Sequence, residues 1–329
     1  MADLTFATGD ALTRKTWAKT WFIETKTESY FYENGFVGKS FDNIIVEFPD
    51  LEGKQGDVIY TGLLMELGNA GVPNDNDMET NEEVPNVYDD AITLTQIRNA
   101  VRTAGRESEM RPSDNGLREY VKDLLKRWMA AQIDQAIFTA LTASPTTVIY
   151  GGDATTTATI EAGDYMELAL CSRMKTAFRK ANPMVEGPTV KGKKLNGVII
   201  VSSDQEHDLV TYDAAWAQAQ REAQKAGDDN PLFAAAIGKY RNMIIHEHPR
   251  VSVATTWGAT ANLAGATALA LGVKAGAIGY SKRKIWEEKT FDYSNKTGFC
   301  VGSIYGFTKN VFNALDYAVG AIRTYRSNI

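Results

Sequence analysis

Residues 113–142, "SDNGLREYVKDLLKRWMAAQIDQAIFTALT", carry the longest run of helical periodicity in the chain, and the rest of the sequence is arranged around it. Leu117, Val121, Leu124 and Trp128 recur at spacings of four, three and four, and Ile133, Ile137 and Ala140 continue that apolar side. Ser113 or Asp114 is placed to accept from the open first-turn amides. Asp123 stands three and four residues before Lys126 and Arg127, a pairing that suits an exposed helical face. At about 1.5 Å per residue the segment makes a rod of roughly 40 Å, long enough to organise a whole molecule.

On the N-terminal side of the rod, residues 48–110 read as a flap. "GDVIYTGLLMEL" and "DAITLTQIRNAVRT" have strand composition, and the polar "GNAGVPNDNDMETNEEVPNVYD" between them has loop composition. From Gln55 to Ile97 there are nine acidic residues and no Lys or Arg, so the flap is one-signed. Residues 1–47 read as an arm crowded with large aromatics, among them Trp17, Trp21 and Phe22, whose apolar area needs burial in the chain or in an assembly. Residues 111–160 hold the rod. Residues 161–280 alternate helical and strand patterns, including "KYRNMIIHEH" read as one strand, and residues 281–329 read as closing strands. The class is α+β.

Composition narrows the function. The 329 residues are 44% hydrophobic and 23% charged, which is that of a soluble globular protein. A net charge of −6 argues against a general nucleic-acid coat or an anionic-membrane binder. The two cysteines, Cys171 and Cys300, lack metal-ligand spacing and read as reduced thiols of an intracellular protein. No stretch is long and apolar enough for a signal peptide or a membrane span.

Three motifs invite a chemical reading. His246 and His248 share one side of a strand, and His207 in "DQEHD" supplies a third candidate ligand for a metal-dependent enzyme. The spacing is not that of a helical zinc protease, and no Asp or Glu occurs from Pro249 to Trp286 to complete a barrel-type site. The bland alternative is a strand ending near the surface with half-exposed histidines. "GFVGKS" at 35–40 echoes a phosphate loop, but Glu33 stands where glycine is required and strand follows instead of helix. "DNDMETNEEVPN" at 75–86 echoes a calcium loop, with Thr80 and Asn86 at the positions that need Gly and Glu. No active site emerges, and neither catalysis nor a cofactor is expected.

The order of arm, acidic flap, rod, α/β region and closing strands resembles the major capsid proteins of tailed phages, of the Hong Kong 97 type. The details resemble those of enquatro-type podophages. The resemblance is carried by "FATGDALTRKTWAKTWF", "AAQIDQAIFTALTASPTT", "VIIVSSDQEHDLVT", "DDNPLFAAAIGKYRNMIIHEHPRV", "ALALGVKAGAIGY" and "GFCVGSIYGFTKNVF". It implies an N-terminal arm, an extended loop at 48–110, a peripheral domain on the rod (the spine helix) and 281–329, and an axial domain at 161–280. It implies a chain made in a bacterial cytoplasm whose hexamers and pentamers close into an icosahedral shell, the virion capsid, around double-stranded DNA. The expected partners are other copies, a separate scaffolding protein, a portal and a decoration protein, with no membrane. Residues 98–127 hold eight bases against five acids and residues 281–329 eight against four, so an acidic loop lying on a neighbour would find opposite charge. Trp17, Trp21, Phe22, Glu79, Glu82, Glu83, Asp89 and Asp90 are the interface candidates.

Overall fold

In a computed structural model, described for residues 25, 28–49, 56–64, 67–68, 71–74, 76–105, 117–190, 192–213, 216 and 236–327, the rod lies along a sheet and buries one side against it. In chain order, α1 (Tyr30–Glu33), β1 (Val37–Gly38) and β2 (Ile45–Phe48) precede β3 (Val58–Leu64), β4 (Val87–Thr93) and β5 (Thr95–Arg102). The rod, α2 (Leu117–Thr142), is followed by β6 (Val148–Tyr150), α3 (Leu168–Lys180), a small ladder of β7 (Thr189–Val190) and β8 (Lys193–Lys194), β9 (Gly197–Val201) and α4 (Ser203–Tyr212). Then come β10 (Ala236–Tyr240), β11 (Met243–Glu247), β12 (Val253–Trp257), β13 (Leu263–Leu271), β14 (Gly276–Phe291), β15 (Lys296–Lys309), β16 (Val311–Phe312), β17 (Leu315–Asp316) and β18 (Val319–Tyr325). No helix among the described residues is long and apolar enough to cross a membrane.

Two sheets carry the molecule. The five-stranded sheet runs β1-β2-β14-β15-β5, and its centre is the long antiparallel hairpin β14–β15. The seven-stranded sheet runs β10-β11-β9-β13-β18-β6, with β12 on β13. Val198, Ile199, Ile200 and Val201 of β9 are fully buried, as the near-continuous apolar run of a central strand requires. β18, expected with the closing strands of 281–329, instead pairs with β13 and β6 in the seven-stranded sheet. "VGAIRTY" has little polar alternation, and only a strand buried on both sides accommodates that.

Three further expectations change. The core line of α2 is Val121, Leu125, Met129, Ile133, Ile137 and Leu141, an uninterrupted spacing of four, while Leu124 is exposed and Trp128 half-buried. "KYRNMIIHEH" is not one strand but a hairpin of β10 and β11, turned at Arg241 and Asn242 with φ of 46° and 69°. Two successive left-handed residues match the twist of the flanking strands. The second flap strand divides at Leu94: β4 pairs with β3, while β5 pairs with β15.

For part of the arm at 1–47 the structure decides between burial in the chain and burial in an assembly, both left open by the sequence. Trp17, Trp21 and Phe22 lie outside the described residues, but within 28–47 Phe31, Phe36, Ile44, Ile45 and Val46 are buried in the chain's own core, while Phe41 stays exposed. Phe31 and Phe36 are fully buried, with Phe31 centred 4.8 Å from Phe138 of α2. Asp134, in the middle of the buried side of α2, accepts from Ser29 Oγ at 2.6 Å and from Tyr30 N at 3.0 Å, which satisfies a carboxylate whose pKa burial raises. β2 then pairs with β14.

Beside that junction Arg283 Nη1 donates to Glu47 Oε1, and both side chains are nearly inaccessible. Tyr32 Oη donates to Glu47 Oε2 at 3.2 Å and lies 2.7 Å from Tyr280 Oη. Burial pushes both phenols well above their ordinary pKa, so they act as neutral hydroxyls. Removing one partner of such a pair strands the other charge in a dry site. Arg283→Met is expected to lower unfolding free energy by about 3–5 kcal/mol, and adding Glu47→Leu should restore most of it. Chemical denaturation decides this: equal losses in the single and double variants would show that the pair's charge is immaterial.

Candidate assembly surface

β3 and β4 form a two-stranded ribbon in unbroken register from Val58↔Thr93 to Leu64↔Val87. Alternation divides its side chains between two faces. On one, Ile59 and Ile92 are buried in a small cluster with Ala277, Phe48 and Leu94. That face approaches glycines of the β14–β15 hairpin closely. A Cβ at Gly306 would stand 2.1 Å from Thr93 O, and one at Gly279 2.5 Å from Ile59 Cδ1, so neither position admits a side chain without displacement. Asp90, on the same face, accepts from Val311 N at 3.0 Å. The ribbon is fixed at its base.

The opposite face is the unusual one. Tyr60, Leu64 and Val87 are 72%, 64% and 66% exposed, and Leu64 sits directly across from Val87. Asp89, across from Gly62, is also exposed. Beyond the strands Leu67, Met78 and Val84 continue the exposed apolar surface. A ribbon face that met only water would carry polar groups there.

The distal loop combines order with charge. Glu83 Oε1 accepts from Gly68 N at 2.6 Å and so ties the two sides of the loop together. Met78 to Asn81 form a turn closed by Asn81 N donating to Met78 O at 3.0 Å, with Thr80 at φ 73°. Glu82 Oε2 accepts from Thr80 N at 3.1 Å, and Asp77 Oδ1 from Glu79 N at 3.3 Å. Glu79, Glu82 and Glu83 are all exposed. The structure thus gathers these three acids at the tip, places Asp89 on the exposed face of the ribbon, and uses Asp90 within the chain. The exposed apolar row was missed in the sequence. Tyr60, Leu64 and Val87 fall on one face only once the register with the partner strand is known.

The histidines take a different part from the one weighed for them. His246 is fully buried, not half-exposed, with its ring 5.1 Å from Phe36 and edge-on to it. His248 stacks on Phe138 at 4.8 Å, lies 4.2 Å from Tyr30, and accepts from Arg250 N through Nδ1 at 3.1 Å. Burial, and then the Arg250 charge, push its pKa down to about 4, so it is a neutral ring in an aromatic cluster at neutral pH. His207 is exposed on α4, with Nε2 3.3 Å from Thr211 Oγ1. Among the described residues no three His, Cys, Asp or Glu side chains gather as a metal set. Cys171 is buried, and its thiol pKa is pushed up to about 12, which makes it a poor nucleophile.

Comparison with known proteins follows this architecture. A family described as phage capsid protein matches residues 5–148 and 139–327. The major capsid protein of Pseudomonas phage KPP25 is 25% identical, over 91% of this chain and 89% of its own length. The capsid of Ralstonia phage GP4 superimposes with a TM-score of 0.83 at 27% identity, covering 99% of each chain. The capsid chain of cyanophage Pam1 shares the fold, with a TM-score of 0.75 at 18% identity over 100% of this chain and 97% of that one.

Proposed function

This chain belongs to the phage capsid protein family and is a major capsid protein of the Hong Kong 97-like fold; from that premise we propose how its parts serve assembly. The β3–β4 ribbon is the extended loop that lies on a neighbouring copy. One observation carries this reading: a rigidly based ribbon turns Tyr60, Leu64 and Val87 outward beside an acidic tip. Burying such side chains contributes about 1.5–3 kcal/mol apiece, which a contact repeated round a ring multiplies. The tip acids Glu79, Glu82 and Glu83, with Asp89, fix register by meeting the neighbour's basic regions. Trp17, Trp21 and Phe22 add aromatic contacts from the N-terminal arm.

In this reading α2 and the five-stranded sheet make the peripheral domain, and the seven-stranded sheet with α3 and α4 makes the axial domain. Hexamers and pentamers of the chain close into an icosahedral shell around double-stranded DNA, aided by a separate scaffolding protein and a portal, with a decoration protein outside. Assembly takes place in the host cytoplasm. The chain has no catalytic role. Negative-stain microscopy of the purified protein is the test, with shells, sheets or capsomer rings expected. A uniform population of small particles under all assembly conditions would count against it.

A further inference from the structure

Between Leu168 and Val201 the chain holds seven Lys or Arg and one acid, Glu186, in a protein whose net charge is −6. The fold gathers the six described ones, Arg173, Lys175, Arg179, Lys180, Lys193 and Lys194, instead of dispersing them. Arg241 Nη1, from the β10–β11 turn, donates to Ser172 Oγ of α3 at 2.8 Å. Arg179 Nη2 donates to Asn196 Oδ1 at 2.9 Å, and Asn196 Nδ2 donates to Arg241 O at 2.9 Å. Asn242 Nδ2 donates to Lys194 O at 2.8 Å. These four bonds stitch α3, the β7–β8 ladder and the β10–β11 turn into one surface. Arg173, Arg179, Lys180, Lys193, Lys194 and Arg241 are exposed on it and Lys175 is half-buried.

Among the described residues little neutralises that surface. Glu186 pairs with Lys194 at 2.5 Å, and Asp42 is engaged by Thr189 through N and Oγ1. Asp213, near the N-terminal end of α3, accepts from Leu168 N at 2.7 Å. Among the described residues Arg173, Lys175, Lys180 and Lys193 have no carboxylate within ion-pair distance. The C-terminal half of α3 collects cations where its dipole favours them, but the helix end needs far fewer than are present.

We propose that this patch is where the capsid protein holds the phosphate backbone of double-stranded DNA. A second copy's acidic ribbon is the competing occupant, since its charge is also opposite. That ribbon presents Tyr60, Leu64 and Val87, which need an apolar seat, whereas among the described residues of 168–201 and the β10–β11 turn the one large exposed apolar side chain is Met184, at 39%. A hydrated polyanion without apolar surface is the better match. α3 is about 20 Å long, and a duplex presents one charge per roughly 1.7 Å of axis, so its cations span several phosphates at once. Such contacts carry no sequence information and hold the polymer in any register. The inference rests on the capsid reading only for the source of the polymer.

The test is fluorescence anisotropy of a short random-sequence DNA duplex titrated with the full-length, unassembled chain across a salt series. Four uncompensated cations predict an affinity loss on the order of 100-fold between about 50 and 200 mM salt. Reversing Arg173, Lys175, Lys180 and Lys193 to glutamate should abolish binding and with it that salt slope. The milder glutamine set guards against misfolding and should flatten the slope alike. Equal reversals at Lys39, Lys282, Lys284 and Lys289 should leave the slope in place. Equal losses from both sets would reduce the effect to net charge and overturn the proposal. So would unaltered duplex binding by the patch variants. If those variants kept their duplex binding yet failed to form capsomers, the patch would be a contact between copies; failure of the unmodified chain to assemble would instead strike the capsid reading itself.

Discussion

Replacing Glu79, Glu82 and Glu83 by lysine is expected to leave the chain folded and to stop it assembling. All three side chains are exposed at the end of a ribbon whose base is packed through Ile59 and Ile92, so the core does not feel the change. Each exposed pair across an interface contributes only about 0–1 kcal/mol. Reversal does more than remove that contribution, because in the proposed docking it sets three lysines against a basic surface, and like charges at an interface cost several kcal/mol. Repetition at every contact round a ring then turns a modest penalty into a block. Raising salt during assembly of the unmodified protein should weaken early contacts in the same sense, since exposed charges are screened within roughly 8–10 Å.

The geometry of the tip adds a control that the sequence did not suggest. Glu82 accepts from Thr80 N and Glu83 from Gly68 N, so lysine also removes two acceptors that shape the loop. Glutamine at the same positions keeps a carbonyl acceptor and discards the charge. If charge governs docking, the glutamine variant assembles slowly with a weaker response to salt and the lysine variant not at all. If loop shape governs, the glutamine variant behaves like the unmodified chain. Shells of normal form and rate from the lysine variant would remove the tip's charge from the mechanism altogether.

What could be read in advance follows from how local the determinants are. The existence of α2 is written in consecutive residues, and so is the buried strand "GVIIV"; both persist in the structure. Which side of α2 faces the core is not local. Leu124 and Leu125 are chemically alike, and only the β15 strand that the helix packs on selects Leu125. The same holds for residues 28–47. Their aromatics announce burial, but whether they bury in this chain or another depends on Asp134, more than a hundred residues away. The acidity of the flap was legible as composition. Its exposed apolar row was not, because period-two patterning reports a face only after the register with the partner strand is fixed. Likewise the basic patch is diluted along the sequence by apolar α3 and β9 residues, and its contribution from Arg241 arrives through a turn forty residues on.

Two truncations separate the arm's two parts. Removing residues 1–40 takes away Phe31 and Phe36, each fully buried, and α1 and β1 with them. By the usual cost of deleting a buried phenylalanine, these two alone remove about 6–10 kcal/mol. Asp134 then loses Ser29 Oγ and the Tyr30 amide and is left buried with a charge to satisfy, a further cost of about 1–3 kcal/mol. Against a total stability of roughly 5–15 kcal/mol, that deletion is expected to abolish cooperative folding. Removing residues 1–24 spares every one of these contacts and takes away Trp17, Trp21 and Phe22. This shorter deletion should melt like the full-length chain yet fail to assemble, because large aromatics dominate contacts of this kind. Thermal melting monitored by near-ultraviolet circular dichroism reads the first outcome, and sedimentation of assembly mixtures reads the second. Cooperative melting of the longer deletion near the full-length temperature would show that residues 28–40 do not belong to the core. Normal shells from the shorter one would take the three aromatics out of the interface and leave the β3–β4 ribbon to make the contact by itself.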